Sequence, residues 1–234
     1  QQRSASTLKE LREYFPLDET LRRFCQFNEY VFGIKLVEQQ DLSHWHEEVR
    51  LFEVSEYGQV MGYIYFDPFH REDAPDFALT NTVRNRRINA EGRPALPIAI
   101  LHCNFPAATS EYPCLLSHKD LRVLFHEFGH CLQQVLTRSP HHNLSGISQL
   151  ARDTAEFAGQ LFEQLSLSEE LLQWLAVHYK TRAPLSRTQL TSALAAIATH
   201  TSRDTATLPL ESLLDLELHR SEENGRNAQS CFEA

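Results

Sequence analysis

The chain has 234 residues, of which 42% are hydrophobic and 23% charged, and a net charge of −9. That acidity argues against a nucleic-acid binder, which needs a basic face toward phosphate, and no apolar run reaches the ~18 residues that span a bilayer. Five scattered cysteines, Cys25, Cys103, Cys114, Cys131 and Cys231, form no CxxC pair and read as reduced thiols. With no visible leader segment, the expectation is a protein of the cytoplasm or an organelle matrix, with no membrane partner.

In chain order, residues 1–45 form a helical lead-in, with helices at 8–14 and 18–32 separated by Pro16 and ended by Gly33. Residues 46–105 change to a sheet pattern. Stretches 49–54 and 60–66, rich in β-branched and aromatic residues, flank Glu56-Tyr57-Gly58 and predict an antiparallel hairpin. From 69 to 94 the chain reads as a long polar loop, a candidate cleft wall, with one short strand near 77–83. A buried strand follows at 96–103. Residues 117–166 hold two helices, the first capped by Ser117 with Asp120 three residues on and running to about 136, the second spanning 148–165. The tail, 167–234, predicts helices at 168–179, 186–200 and 208–222 and fraying from Asn224.

The first of the two central helices carries His126-Glu127-Phe128-Gly129-His130. At 3.6 residues per turn His126 and His130 project from one face, close enough to bind a single zinc ion. Glu127 is rotated by about 100°. It is placed to act as general base on a water that zinc brings toward a pKa of ~7. The competing reading is a buried helix whose histidines only form hydrogen bonds.

A catalytic zinc needs a third protein ligand and an open position. A third histidine six residues after His130 would fall on Leu136, which excludes that extended motif. His141 and His142 lie in the following loop, and Asp153, Glu156 and Glu163 lie on the next helix. Glu156 is the expected ligand, with Asp153, three positions earlier on the same face, orienting a ligand histidine.

These residues resemble the thimet oligopeptidase and oligopeptidase A family of zinc metallopeptidases. The matching stretches are 11–16 (LREYFP), Tyr65-Phe66-Asp67 with Arg71-Glu72, Cys103-Asn104-Phe105, 124–130 (LFHEFGH), Leu136-Thr137-Arg138, 145–148 (SGIS), and Asp153-x-x-Glu156 with Gln160 and Glu163. The resemblance implies a zincin-like α+β fold, predominantly helical, with a small mainly antiparallel sheet packed on the HExxH helix. It implies one Zn2+ per chain held by His126, His130 and Glu156, with Glu127 as base and short peptides as substrates. It also implies a sheet edge near 101–104 that pairs with extended peptide.

Two departures stand out. The family's Pro-Ser after the ligand glutamate is Ala158-Gly159 here. The family's later His and Tyr side chains, which stabilise the oxyanion, have no counterpart in 208–234, so a partner supplying those cleft elements is an expectation. Two functions follow: a zinc-dependent endopeptidase, or a truncated non-catalytic homologue that holds zinc and acts as a peptide-binding or regulatory module.

Overall fold

The computed structural model describes residues 8–40, 45–72 and 75–220. Helix α1 (Leu17–Phe32) begins directly after Pro16 and ends at Gly33, whose left-handed φ of 69° lets its N–H reach back to the carbonyl of Glu29. Leu17, Leu21 and Phe24 form its buried stripe. The strands are β1 (Ile34–Gln39), β2 (Arg50–Glu56), β3 (Gln59–Phe69), β4 (Leu79–Arg84), a two-residue ribbon of β5 (Arg87–Ile88) with β6 (Pro94–Ala95), and β7 (Ile98–Phe105). Then come α2 (His118–Val135), α3 (Arg152–Leu165), α4 (Glu169–Leu175) and α5 (Arg187–Arg220).

Five strands form one mixed sheet in the order β1-β2-β3-β7-β4. The expected hairpin is β2–β3, and β1 adds antiparallel to β2. The contact between β3 and β7 is parallel, with Tyr63 opposite Ile98, and β4 closes that end antiparallel to β7 with Leu79 opposite His102. Alternate residues of β7, Ala99, Leu101, Cys103 and Phe105, are buried on the face that meets α2. There Phe24 of α1 stacks on Phe125 at 4.7 Å and meets Phe128 edge-on at 4.8 Å. Ser117 and Asp120 form the reciprocal cap expected at the start of α2.

Several elements differ from the sequence expectation. Strand β1 corrects the helical lead-in expected over 1–45: past Gly33 the chain pairs with β2 as an edge strand. Helix α3 starts at Arg152 rather than 148, since the preceding turn is tied down where Asn85 Nδ2 donates to Ser148 Oγ at 3.2 Å. Helix α4 stops at Leu175, after which the N–H of Val177 and of Tyr179 donate to the carbonyls of Tyr14 and Glu13. The two helices expected at 186–200 and 208–222 are one helix, α5, which continues through Pro209 to Arg220. The expected fraying tail lies outside the described residues.

The sheet also buries one carboxylate. Asp67, at the end of β3, is 1% exposed; it accepts both Arg71 guanidinium nitrogens at 2.6 Å and lies 3.1 Å from His102 Nδ1. Burial opposes its ionisation, but hydrogen bonds from His102 and Arg71 and their charge hold its pKa at about 2, below the ordinary 3.8. A depressed carboxylate pKa stabilises the fold above the unfolded value and loses that contribution as pH falls through the folded value. Urea midpoints should therefore drop between about pH 4 and pH 2. In Asp67→Asn this acid-sensitive component should disappear, on a background already weakened at neutral pH.

Candidate metal centre

The stripe Arg122, His126, Gly129 and His130 of α2 faces the stripe Glu156, Gly159 and Glu163 of α3. The two backbones approach closely where both sides are glycine. A Cβ on Gly129 would meet the carbonyl carbon of Ala158 at 2.8 Å and its oxygen closer still. A Cβ on Gly159 would meet His130 Nε2 at 2.8 Å and His126 Cε1 at 2.9 Å. With no side chain at either position, α3 lies directly over the two imidazoles.

The ligand atoms converge there. The Nε2 atoms of His126 and His130 are 3.1 Å apart, and Glu156 Oε2 lies 3.4 Å from the first and 3.5 Å from the second. A tetrahedral ion about 2.0–2.1 Å from three N and O ligands requires edges of about 3.3 Å, so the triangle has the size of a zinc site. Among the described residues, this is the group of His, Cys, Asp and Glu side chains that could hold a metal ion. Lone-pair chemistry agrees. Glu163 Oε2 lies 3.1 Å from His126 Nδ1, and a carboxylate there accepts from Nδ1–H, which leaves Nε2 unprotonated and pointing at the other two ligands. His130 is 11% exposed at its side chain and Glu156 49%, so the site is closed by α2 and open beside Glu156.

The carboxylate beside a histidine ring nitrogen is Glu163, whereas the expected Asp153 points elsewhere. Asp153 is exposed, and its Oδ1 accepts from the neighbouring Thr154 N–H at 2.9 Å, as acids in a first helical turn do. Arg122 holds Glu163 in turn by donating to Glu163 Oε1 from Nη2 and, at 3.1 Å, from Nε. Spacing puts both groups on the right helix faces, though which carboxylate meets His126 is set by the helix crossing: Arg122 is one turn before His126, and Glu163 is two turns after Glu156. His141 and His142 are exposed and take no part in the metal cluster.

Glu127, next along α2, turns toward the sheet. Thr80 Oγ1 of β4 lies 2.9 Å from Glu127 Oε2 and 2.8 Å from the Glu127 carbonyl oxygen, with Cys131 Sγ at 3.6 Å. Burial pushes the Cys131 thiol well above its ordinary pKa, against a smaller lowering by Thr80, so the sulfur stays protonated. One turn on, Gln134 is fully buried and accepts from Thr82 Oγ1 at 3.1 Å and from the Ile147 N–H at 3.0 Å, while its Nε2 donates to Asn85 Oδ1 at 2.8 Å. Neither threonine nor Gln134 was apparent as a site residue in the sequence. The strand beside Glu127 is β4, so the edge expected at 101–104 is corrected: Leu101 and His102 pair with β3 on one side and β4 on the other.

Two histidines on one helix and a carboxylate from the next, with Glu127 between them and a strand, have the residue types and spacing of an HExxH metal site. The family model for Peptidase family M3 matches residues 1–233, and the chain belongs to that family. It is 33% identical over 189 residues to oligopeptidase A of Haemophilus influenzae and to that of Escherichia coli, covering 80% of this chain and 28% of each relative. It is 27% identical over 182 residues to saccharolysin of Saccharomyces cerevisiae, covering 74% of this chain and 26% of the relative. The chain thus spans less than a third of the length of these relatives.

Two substitutions test the centre. Glu163→Gln should weaken zinc binding by roughly 10- to 100-fold, read by competition with a chromogenic chelator. Gly129→Ala should force α3 away from α2 and remove stoichiometric zinc uptake even where the variant stays folded by circular dichroism.

Proposed function

We propose that this chain is the catalytic portion of a zinc-dependent endopeptidase that hydrolyses short, unstructured oligopeptides. The observation that carries the reading is the triangle of His126 Nε2, His130 Nε2 and Glu156 Oε2, with edges of 3.1, 3.4 and 3.5 Å, one residue away from a carboxylate that is not part of it. Zinc is the metal implied by the donor set of two imidazoles and a carboxylate. One ion bound there would polarise the scissile carbonyl and bring a water toward a pKa of ~7. Glu127 accepts the proton of the attacking water and delivers it to the departing amine. Glu163, itself held by Arg122, keeps His126 in the tautomer that offers Nε2 as ligand.

Substrate class follows from the strand. Among the described residues β4 pairs with β7 alone, so its outer edge offers backbone N–H and C=O groups to an added strand. An extended segment can dock there, and a folded protein rarely presents one. This zincin-like relation of helix and edge strand favours short, flexible peptides, in keeping with the name oligopeptidase borne by two of the relatives. Cys25, Cys103, Cys114 and Cys131 are free thiols, which supports a reducing compartment such as the cytoplasm.

The test is cleavage of a quenched peptide of about ten residues, long enough to cover a strand of ordinary length. The zinc-loaded chain should cleave it, a chelator should stop it and zinc should restore it. Glu127→Gln should lower kcat by at least about 100-fold with zinc content unchanged. Zinc binding without cleavage would overturn the enzyme reading for this chain and leave the zinc-holding, peptide-binding module in its place.

A further inference from the structure

The face of α2 that meets β4 is a polar stripe. Glu127, Cys131 and Gln134 follow one another at spacings of four and three, and Thr80 and Thr82, two apart on β4, reach that stripe with their hydroxyls. An apolar seam would be the ordinary way to pack a helix on a strand. Here the strand end of the seam lands on Glu127. A hydroxyl has one proton to donate and two lone pairs to accept with. Thr80 Oγ1 lies 2.9 Å from the Glu127 carboxylate and 2.8 Å from the Glu127 carbonyl oxygen, so its one proton is within reach of both oxygens of the same residue, with Cys131 Sγ at 3.6 Å.

We propose that Thr80 is a positioning residue for Glu127: its hydroxyl ties the Glu127 carboxylate to β4, so that the base and the strand edge that receives peptide hold one fixed relation. The inference rests on the peptidase reading of Glu127 given above. It makes a distinction that simple packing does not. Without a tether, a glutamate beside an open cleft samples several rotamers, and a misplacement of about 1 Å in a reacting group can cost on the order of 100-fold in rate. A packing contact, in contrast, acts through stability alone.

The experiment compares Thr80→Val, which keeps the shape and removes the donor, with Thr80→Ser, which keeps the donor. Thr80→Ala serves as a second donor-free variant should valine crowd Cys131 and prevent folding. All are assayed zinc-loaded with the quenched peptide, after metal analysis. The expected result is a fall in kcat of about 10- to 100-fold in the donor-free variant, with KM within about twofold and zinc content unchanged, and recovery to within a few-fold in Thr80→Ser. Unchanged kcat, a rise in KM alone, loss of zinc, or a serine variant as slow as the donor-free one would each overturn the proposal.

Failure of the peptidase reading is a separate result, seen as no cleavage by the wild-type chain. The tether is then read in a crystal structure of the zinc-loaded donor-free variant. A Glu127 carboxylate that swings to a new rotamer while His126, His130 and Glu156 stay in place supports it, and one that stays where it is overturns it.

Discussion

The close approach of α2 and α3 at Gly129 and Gly159 is the constraint on which the centre depends. Each glycine costs about 0.8–1 kcal/mol of helix propensity relative to alanine, and the two stand opposite one another where a Cβ on either would collide. What that cost makes possible is distance. Glu156 lies one turn before Gly159 and Glu163 one turn after, so a single crossing brings one carboxylate to the Nε2 side of the imidazoles and another to the Nδ1 side of His126. Had the helices been separated by side chains at the crossing, neither contact would close at 3.1–3.5 Å.

The opposite flank of α2 is organised by different physics. Toward α1 and the sheet interior, Phe24, Phe125 and Phe128 form an aromatic contact that water does not reach. Toward β4 the helix instead presents Glu127, Cys131 and Gln134, which hydrogen bonds from the strand or loop must satisfy because burial without partners is costly. Hydrogen bonds fix register more sharply than apolar packing, since a shift of one residue turns both threonines to the other face of the strand. The helix thus carries three distinct surfaces: an aromatic one packed on α1, a glycine-lined one that brings His126 and His130 against Glu156 and Glu163, and a polar one that joins Glu127 to β4.

Much of this was legible in the sequence where it depends on local periodicity. His126, His130 and the capping pair Ser117 and Asp120 are separated by one helical turn, and a turn is a local property. The choice between Asp153 and Glu163 was not local. At 100° per residue Glu163 sits about 20° from Glu156 around the helix, and Asp153 about 60°, so the more distant residue in sequence is better aligned. Which of them faces His126 is then set by the crossing of two helices, and sequence spacing does not give a crossing. Strand β4 was visible as a short strand, but its place at the edge depends on the parallel pairing of β3 with β7, across a connection that contains β4 itself. The gap between the helices expected at 186–200 and 208–222 is closed in α5, which continues through Pro209 although a proline removes one hydrogen bond from a helix.

The departure at Ala158-Gly159 takes on a definite meaning in this geometry. The resembled family carries Pro-Ser there. A proline at 158 would have no N–H to donate to the carbonyl of residue 154 and would crowd it, bending α3 within one turn of the ligand Glu156. Alanine keeps the ladder intact, so α3 can run straight through the crossing. A serine Cβ at 159 would lie 2.8 Å from His130 Nε2 on the present backbone, and glycine removes it. Gly159 is the position that lets α3 lie against the imidazoles. With Ala158 and Gly159 in place, His126 Nε2, His130 Nε2 and Glu156 Oε2 come within 3.1–3.5 Å of one another.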